Sequence, residues 1–116
     1  PLFRSAATSS QNTKFFLGTD SAPHFQGSKE SSCGCAGCYS APHALSLYAE
    51  VFEAEKKLIN FEMFASLNGA KFYNVKANKE KITLKKQKWR STKNITLGNK
   101  KIISLADGRE LNWIVE

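Results

Sequence analysis

Apolar residues in the first part of the chain predict a short buried strand after a helix. Residues 2–9, "LFRSAATS", have the composition of a helix end, and "QNT" after them predicts a turn. Residues 14–17, "KFFL", form a short, mostly apolar run of β-prone residues that ends next to a glycine, which predicts a buried strand. A helix, a turn and a buried strand in succession are typical of one unit of an α/β protein with a parallel sheet.

Helical periodicity returns after residue 42. Pro42 is suited to the first turn of a helix, and residues 42–57 predict an amphipathic helix. The apolar positions at helical spacing are Ala44, Leu47, Tyr48 and Val51. A second helix is predicted over residues 61–67, with Asn60 as its N-cap and Gly69 as a left-handed C-terminal stop.

The last third of the chain has a β-type pattern. "KITLKK" and "KKIISL" cluster β-branched residues and predict strands. In "LADGREL" the pair Asp107-Gly108 lies between apolar flanks, which predicts a turn, with "LNWIVE" as the return strand. The sequence therefore predicts a small β appendage after the helices.

Between the strand and the first long helix, residues 18–42 show little periodicity. This segment of about 25 residues contains all three cysteines and two of the three prolines. Long loops without regular structure inside a domain are usually functional. The segment is therefore the expected location of a functional site.

Composition narrows the class of protein. The chain has 116 residues and 41% hydrophobic residues, which predicts one globular domain. No apolar run approaches the roughly 18 residues of a membrane span. Three cysteines, an odd number, favour free thiols in a reducing compartment over a disulfide framework.

The net charge of +7 is unevenly distributed. Residues 71–101 contain eleven of the seventeen basic residues and a single acid, Glu80. A lysine-rich segment of this kind could bind nucleic acid or an acidic surface. Because it has no recognised binding motif and little aromatic interleaving, we favour a solvated face of lysines and predict no nucleic-acid or membrane partner.

Two stretches of the long loop are candidate sites. In "GTDSAPH", Asp20 lies two or three residues past the end of the predicted strand, where an aspartate can bind a metal or transfer a proton. His24 lies four residues further and can donate a hydrogen bond to an anionic substrate. The alternative is that Asp20 caps the loop and His24 is an ordinary polar residue.

The second candidate is "SCGCAGC", which holds Cys33, Cys35 and Cys38. A structural zinc site needs four ligands, and only His24 or His43 could complete the set, since no second cysteine pair exists. An iron–sulfur cluster would also require a fourth thiolate. We favour a glycine-rich loop whose small residues let the backbone approach a ligand closely.

Three stretches together resemble a known family. "FFLGTDSAPH", "KESSCGCAGCYSAPHALSLYAEVFE" and "FASLNGAKFY" are similar to the C-terminal region of dihydroorotases of the class II type, the stand-alone bacterial and plant enzymes. "KITLKKQKW" and "LNWIVE" fit the same region more loosely. The resemblance covers nearly the whole chain.

The resemblance implies a zinc-dependent cyclic amidohydrolase on a TIM (β/α)8 barrel. Such enzymes interconvert dihydroorotate and N-carbamoyl-aspartate in pyrimidine biosynthesis, with two zinc ions in the complete enzyme. It implies that Asp20 binds zinc and acts as general acid and base. It further implies that His24 contacts the substrate carboxylate, and that Ala36 and Gly37 contact the substrate through backbone groups. The cysteines are not ligands in this family.

A barrel of this kind needs about 250 residues, and the His-x-His pair of the family is absent here. We therefore expect a C-terminal fragment of the barrel, made of the last strand, the long active-site loop and the following helices. Residues 1–69 would form this part, and residues 70–116 a lysine-rich extension with a β-hairpin. The remaining barrel would lie in the same or another chain, and the fragment would be inactive alone.

Further expectations follow from the resemblance: a small-molecule substrate, a homodimer, and a cytoplasmic location, or a plastid one in a plant. Two alternatives stay open, a degenerate fragment that serves as a basic binding or scaffold module, and a small cysteine-ligated zinc module.

Overall fold

The computed structural model describes residues 2–9, 11–32, 34–91 and 95–116. Among these residues the helices are α1 Leu2–Ala7, α2 Gln26–Lys29, α3 Ala44–Ala54 and α4 Asn68–Phe72. Short 3-10 turns lie at Ala41–His43 and Leu58–Asn60, and a π-helical turn lies at Met63–Leu67. The strands in the described part of the chain are β1 Leu84–Arg90, β2 Ile95–Leu97, β3 Lys100–Ile102 and β4 Glu110–Val115. Within these ranges, no helix combines the length and apolar character that a membrane crossing requires.

The predicted helix over residues 42–57 is confirmed, although its regular part is shorter. It begins with the 3-10 turn that contains Pro42 and ends at Ala54. Its residues Ala49 and Phe52 are each 1% exposed and form the centre of the core. The ring of Phe52 contacts those of Phe61 and Phe64, with centroids 5.2 Å apart in both pairs. Aromatic burial of this kind is the main source of stability in a small domain.

The second predicted helix is present and begins at residue 61 as predicted, but its predicted cap and its predicted C-terminal stop are wrong. Helical structure continues from residue 61 to residue 72, through the π-helical turn and α4. Asn60 does not cap it; its side-chain amide donates instead to the carbonyl of Thr8, 2.8 Å away, and so ties the helix to the end of α1. The left-handed residue after the helix is Asn74, with φ of 53°, an amino acid that tolerates this conformation.

Gly69 lies inside α4, at a position where an aromatic ring occupies the space that a side chain would need. A Cβ atom at this position would lie 3.2 Å from Cδ2 of Phe16. The glycine therefore permits close packing of the helix on the segment that contains Phe16, and it does not terminate the helix. The boundary that we predicted at residue 69 falls within α4, and the division into residues 1–69 and 70–116 stays a prediction.

The predicted strand over residues 14–17 is not a hydrogen-bonded strand in this structure. Its N–H at Leu17 donates to the carbonyl of Phe64 at 3.0 Å, and the carbonyl of Phe15 accepts from the buried Asn68 side chain at 3.0 Å. A strand is assigned from its ladder with neighbours, and no strand lies alongside this segment within the described residues. Phe15 and Leu17 nevertheless pack against the core.

The C-terminal part forms two separate two-stranded antiparallel sheets. β2 and β3 form a hairpin around Gly98, whose φ is 58°. The predicted turn at Asp107-Gly108 is present, with Gly108 at φ of 68°. However, β4 after this turn pairs with β1, from Leu84↔Val115 to Arg90↔Glu110, rather than with the strand directly before the turn.

Two acidic side chains of α3 fix β4 to the helix. Glu50 accepts hydrogen bonds from the backbone N–H of Asn112 at 2.7 Å and from its side-chain amide at 3.3 Å. Glu53 accepts from the indole N–H of Trp113 at 3.0 Å and also pairs with Lys86 of β1. The appendage is thereby joined to the helix that borders the long loop.

The long loop itself is anchored at two points to the C-terminal part. Phe25 forms an antiparallel bridge with Ile102, and Tyr39 a parallel bridge with Ser104. The loop is therefore a structured segment, and it includes the short helix α2.

Candidate functional site

Hydrogen bonds hold the two candidate stretches of the long loop side by side. The N–H of Ala22, in "GTDSAPH", donates to the carbonyl of Cys38 at 2.9 Å. The hydroxyl of Ser21 accepts from the N–H groups of Ser40 and Ala41 at 3.1 and 3.0 Å. The hydroxyl of Ser40 in turn donates to the carbonyl of Thr19 at 3.1 Å. These contacts join the two motifs into one structural unit.

Asp20 occupies a strained backbone position at this junction. Its φ is 43°, in the left-handed region that non-glycine residues seldom adopt. Such conformations cost about 1–3 kcal/mol and tend to occur at functional sites. The Asp20 carboxylate is exposed, and within the described residues it accepts no hydrogen bond, so its oxygens are available to a ligand.

Gly37 is required on steric grounds. Its φ is 92°, which L side chains rarely adopt, and a Cβ atom would lie 2.6 Å from the Cβ of Ala22. The close approach of the two motifs therefore depends on the missing side chain. The close approach seen here is to Ala22, and the expectation that the small residues of "CAG" let the backbone approach a ligand stays a prediction.

Asp20 and Gly37 line the same cavity, which has a volume of about 380 Å³. Its other wall comes from α3, through the residues that the periodicity of the sequence singled out: Ala44, Leu47, Tyr48 and Val51. Thr19, Cys38, Ser40 and Leu105 complete the lining. A mostly apolar cavity of this size with a few polar groups is suited to a small molecule.

The structure does not bring all four predicted site residues into this cavity wall. His24 is half-buried and Ala36 is exposed, and neither lines the cavity. Ala36 directly precedes Gly37, however, and His24 lies two residues after Ala22, which contacts Gly37. All four residues therefore belong to the unit that the two motifs form.

The cysteines show no arrangement of metal ligands in the part of the chain that the structure describes. Cys35 is half-buried and Cys38 is exposed, and both are free thiols. Across residues 2–9, 11–32, 34–91 and 95–116, no three His, Cys, Asp or Glu side chains come together as a metal site. Cys33 lies outside the described residues.

His43, the other histidine considered as a possible zinc ligand, is a core residue. It is 7% exposed, and its ring packs edge-on against Trp89 of β1 at a centroid distance of 5.8 Å. Neither ring nitrogen has a hydrogen-bond partner among the described residues. Its position between the loop and the β appendage indicates a packing role.

Acidic side chains pair with several lysines of the lysine-rich segment. The ion pairs are Lys81–Glu62, Lys85–Glu116, Lys86–Glu53 and Lys88–Glu110. The lysine side chain of each pair is more than half exposed. Exposed pairs of this kind add little stability, but they reduce the free positive charge, which does not favour a basic binding module.

Sequence reasoning missed Lys29. Its ammonium group donates to the carbonyls of Cys35 and Gly37, at 2.7 and 2.6 Å. The lysine lies in α2, six and eight residues before these carbonyls. No local pattern indicates such a contact, because it depends on how the loop folds back on itself.

Comparison with known proteins finds dihydroorotases as relatives of this chain. No protein-family model matches the chain. The dihydroorotase of Vibrio cholerae is 50% identical over 111 residues, which is 96% of this chain and 32% of that protein. The dihydroorotase of Pseudomonas fluorescens is 50% identical over 107 residues, 92% of this chain and 31% of that protein.

Solved structures give the same result. Dihydroorotase from Saccharomyces cerevisiae, in complex with 5-fluoroorotic acid, is 36% identical with a TM-score of 0.89, over 97% of this chain and 32% of that one. Dihydroorotase from Campylobacter jejuni is 28% identical with a TM-score of 0.79, over 98% of this chain and 33% of that one. The chain spans about a third of the length of these relatives, in their C-terminal part. Since dihydroorotases are TIM barrels, the predicted fold class, a C-terminal portion of such a barrel, is confirmed.

Proposed function

We propose that the chain, which is homologous to dihydroorotases over the third of their length that it spans, acts as the C-terminal part of a dihydroorotase. The proposed reaction is the reversible hydrolysis of the cyclic amide of dihydroorotate to N-carbamoyl-aspartate, in pyrimidine biosynthesis. The rest of the barrel would come from the same or another chain. We call the complete assembly the full-length protein. The observation that supports this most directly is the shared cavity wall of Asp20 and Gly37.

Asp20 is the proposed general acid and base. Its carboxylate would accept a proton from the water that attacks the ring carbonyl carbon. As the carbon–nitrogen bond of the ring breaks, the same carboxyl group would deliver that proton to the leaving nitrogen. The reverse reaction would use the same group in the opposite order. Among the described residues, no group donates a hydrogen bond to the Asp20 carboxylate, which is therefore free to transfer the proton.

His24, Ala36 and Gly37 are the proposed substrate contacts. The substrate carries a carboxylate, and the yeast relative was solved in complex with 5-fluoroorotic acid. The His24 ring and backbone N–H groups of the "CAG" segment would donate hydrogen bonds to such an anion. Gly37 keeps this segment within contact distance of Ala22 in the motif that carries Asp20 and His24.

The residues fit a metal-dependent reaction, with zinc as the proposed metal and two ions in the complete enzyme. Carboxylate oxygens bind zinc well, and the Asp20 carboxylate, which accepts no hydrogen bond from the described residues, would hold one ion. The other ligands would come from the rest of the barrel, since the described residues hold no cluster of three such groups. A bound metal ion would polarise the ring carbonyl and lower the pKa of a bound water.

The test is dihydroorotate hydrolysis by the full-length protein with Asp20→Ala. Loss of the proton-transfer group and a metal ligand is expected to lower kcat by at least about 10³-fold, while the melting temperature stays close to that of the wild type. Asp107→Ala, in the turn before β4, is the matched control and should retain activity. Wild-type turnover by the Asp20 variant would rule out the assigned role.

Metal content separates this proposal from a cysteine-ligated zinc module. Cys35→Ser combined with Cys38→Ser should leave the metal content of the full-length protein unchanged, since these thiols are not proposed ligands. Loss of stoichiometric zinc in this double variant would instead support the cysteine-ligated module. The class II assignment, homodimerisation and a cytoplasmic or plastid location remain predictions that rest on the resemblance.

A further inference from the structure

We propose that Lys29 is a positioning residue that orients the substrate-contacting backbone of the "CAG" segment. The inference rests on the proposed function, because it concerns the Ala36 and Gly37 groups that would contact the substrate. Lys29 itself touches neither the proposed general acid and base nor the proposed reacting atoms. Its role would be to fix the peptide groups that bind the substrate anion.

The ammonium group of Lys29 binds the loop at two neighbouring carbonyls. The Nζ atom lies 2.7 Å from the oxygen of Cys35 and 2.6 Å from that of Gly37. Hydrogen bonds from a charged donor are shorter and stronger than those between neutral groups. Because one ammonium group binds both, the carbonyls of Cys35 and Gly37 point to the same side of the segment 35–37.

Peptide geometry then determines where the N–H groups point. In a planar trans peptide, the carbonyl of one residue and the N–H of the next point in opposite directions. When Lys29 holds the Cys35 carbonyl, the N–H of Ala36 must point away from the lysine. Within the described residues, the N–H groups of Ala36 and Gly37 donate to no protein acceptor, so they are available to a ligand.

The positive charge also strengthens these donors. A cation at a carbonyl oxygen polarises the peptide group and makes its N–H a better hydrogen-bond donor. Ala36 shares a peptide group with the Cys35 carbonyl, so its N–H gains directly. Lys29 thus contributes to anion binding through the backbone, without contact with the anion.

Backbone hydrogen bonds next to Lys29 hold the segment 35–38 in place. The N–H of Cys35 donates to the carbonyl of Ser28 at 3.2 Å, which closes the loop next to Lys29. Beyond Gly37, the carbonyl of Cys38 accepts from Ala22 at 2.9 Å. The segment 35–38 is therefore held on one side by α2 and on the other by the motif that carries Asp20.

These contacts predict a specific kinetic effect. The Lys29 side chain acts on groups that bind substrate, whereas proton transfer is assigned to Asp20. Loss of the Lys29 charge should therefore raise KM for dihydroorotate and leave kcat nearly unchanged. The loss of charge-assisted hydrogen bonds corresponds to a rise in KM of about tenfold.

The experiment compares Lys29→Met with Lys29→Arg in the full-length protein. Methionine keeps a long stem without the charge, and arginine keeps the charge and should recover part of the KM. Lys88→Met is the matched control, because Lys88 pairs with Glu110 on the β appendage at 3.3 Å. Melting temperature and metal content are measured for each variant, together with amide hydrogen exchange over residues 34–38.

The expected result is an increased KM and faster exchange over residues 34–38 in Lys29→Met, with kcat, melting temperature and metal content retained. An unchanged KM would overturn the inference while dihydroorotase activity itself stands. A raised KM that is accompanied by a lower melting temperature or metal loss would also overturn it, in favour of a general structural role. If the wild-type protein does not hydrolyse dihydroorotate, the proposed function fails. In that case, unchanged amide exchange over residues 34–38 in Lys29→Met would also overturn the proposal that Lys29 holds this segment.

Discussion

Gly37 and Ala22 show how single residues determine the geometry of the candidate site. The sequence singled out Gly37, in the small-residue loop "CAG", but not Ala22, which is simply one residue of "GTDSAPH". The structure brings them into contact, with 2.6 Å between the Ala22 Cβ and the position of a Gly37 Cβ. Sequence could indicate that a glycine is needed near a ligand, but it could not indicate which neighbour excludes a side chain.

Gly37→Ala should disturb the site for two separable reasons. The positive φ is unfavourable for alanine, at about 1–3 kcal/mol, and the new methyl group would collide with Ala22. We expect reduced stability in chemical denaturation and a fall in kcat/KM of about tenfold or more. Adding Ala22→Gly should relieve the collision but not the backbone strain, and so recover part of the loss.

Gly27→Ala is the control for this substitution. Gly27 lies in α2, and a methyl group added there would have no atom within 4 Å apart from its chain neighbours and the backbone of its own helix, so alanine should be neutral or slightly stabilising. Equal stability and activity of Gly37→Ala and Gly27→Ala would contradict the steric explanation.

At the scale of elements, α3 connects the cavity and the β appendage. Periodicity predicted this helix, because its apolar positions recur every three to four residues. The same method failed where a contact with a distant segment determines the conformation. Gly69 packs on Phe16 instead of ending a helix, and Asn60 bonds to Thr8 instead of capping one. The segment 14–17 has the composition of a strand, but no strand pairs with it among the described residues. Composition alone does not indicate whether a neighbouring strand is present.

The junction between α3 and the appendage should depend on pH. The Lys86 ammonium beside Glu53, together with the Trp113 indole N–H, holds the pKa of Glu53 below its ordinary value of 4.5. A carboxylate with a lowered pKa stabilises the fold above that ordinary value, and this contribution is lost as the pH falls through the folded-state pKa. Glu53→Gln should therefore be less stable than the wild type at pH 7, and the difference should shrink at acidic pH.

Urea denaturation at pH 7 and at about pH 3 would measure this difference. Glu116→Gln, which removes the exposed pair with Lys85 at 3.1 Å, is the control and should have a smaller effect at pH 7. A stability difference for Glu53→Gln that is the same at both pH values would contradict the assigned interaction.

At the scale of the whole molecule, we propose that the chain supplies one part of a site whose other part lies in the rest of the barrel. It contributes a free carboxylate, a strained loop junction and a cavity of about 380 Å³, and it spans about a third of its relatives. The motifs "GTDSAPH" and "CAG" indicated the dihydroorotase relatives that the comparisons found, whereas the roles of the candidate residues stay predictions. The contact from Lys29 was not predictable, because the loop that creates it has no periodic pattern.

Hydrolysis of dihydroorotate, measured side by side for the isolated 116-residue chain and for the full-length protein, tests the proposed division of the site most directly. We expect turnover by the full-length protein and none above the uncatalysed rate for the isolated chain, because the proposed metal site needs ligands from the rest of the barrel. Comparable turnover by the isolated chain, or none by the full-length protein, would contradict this proposal.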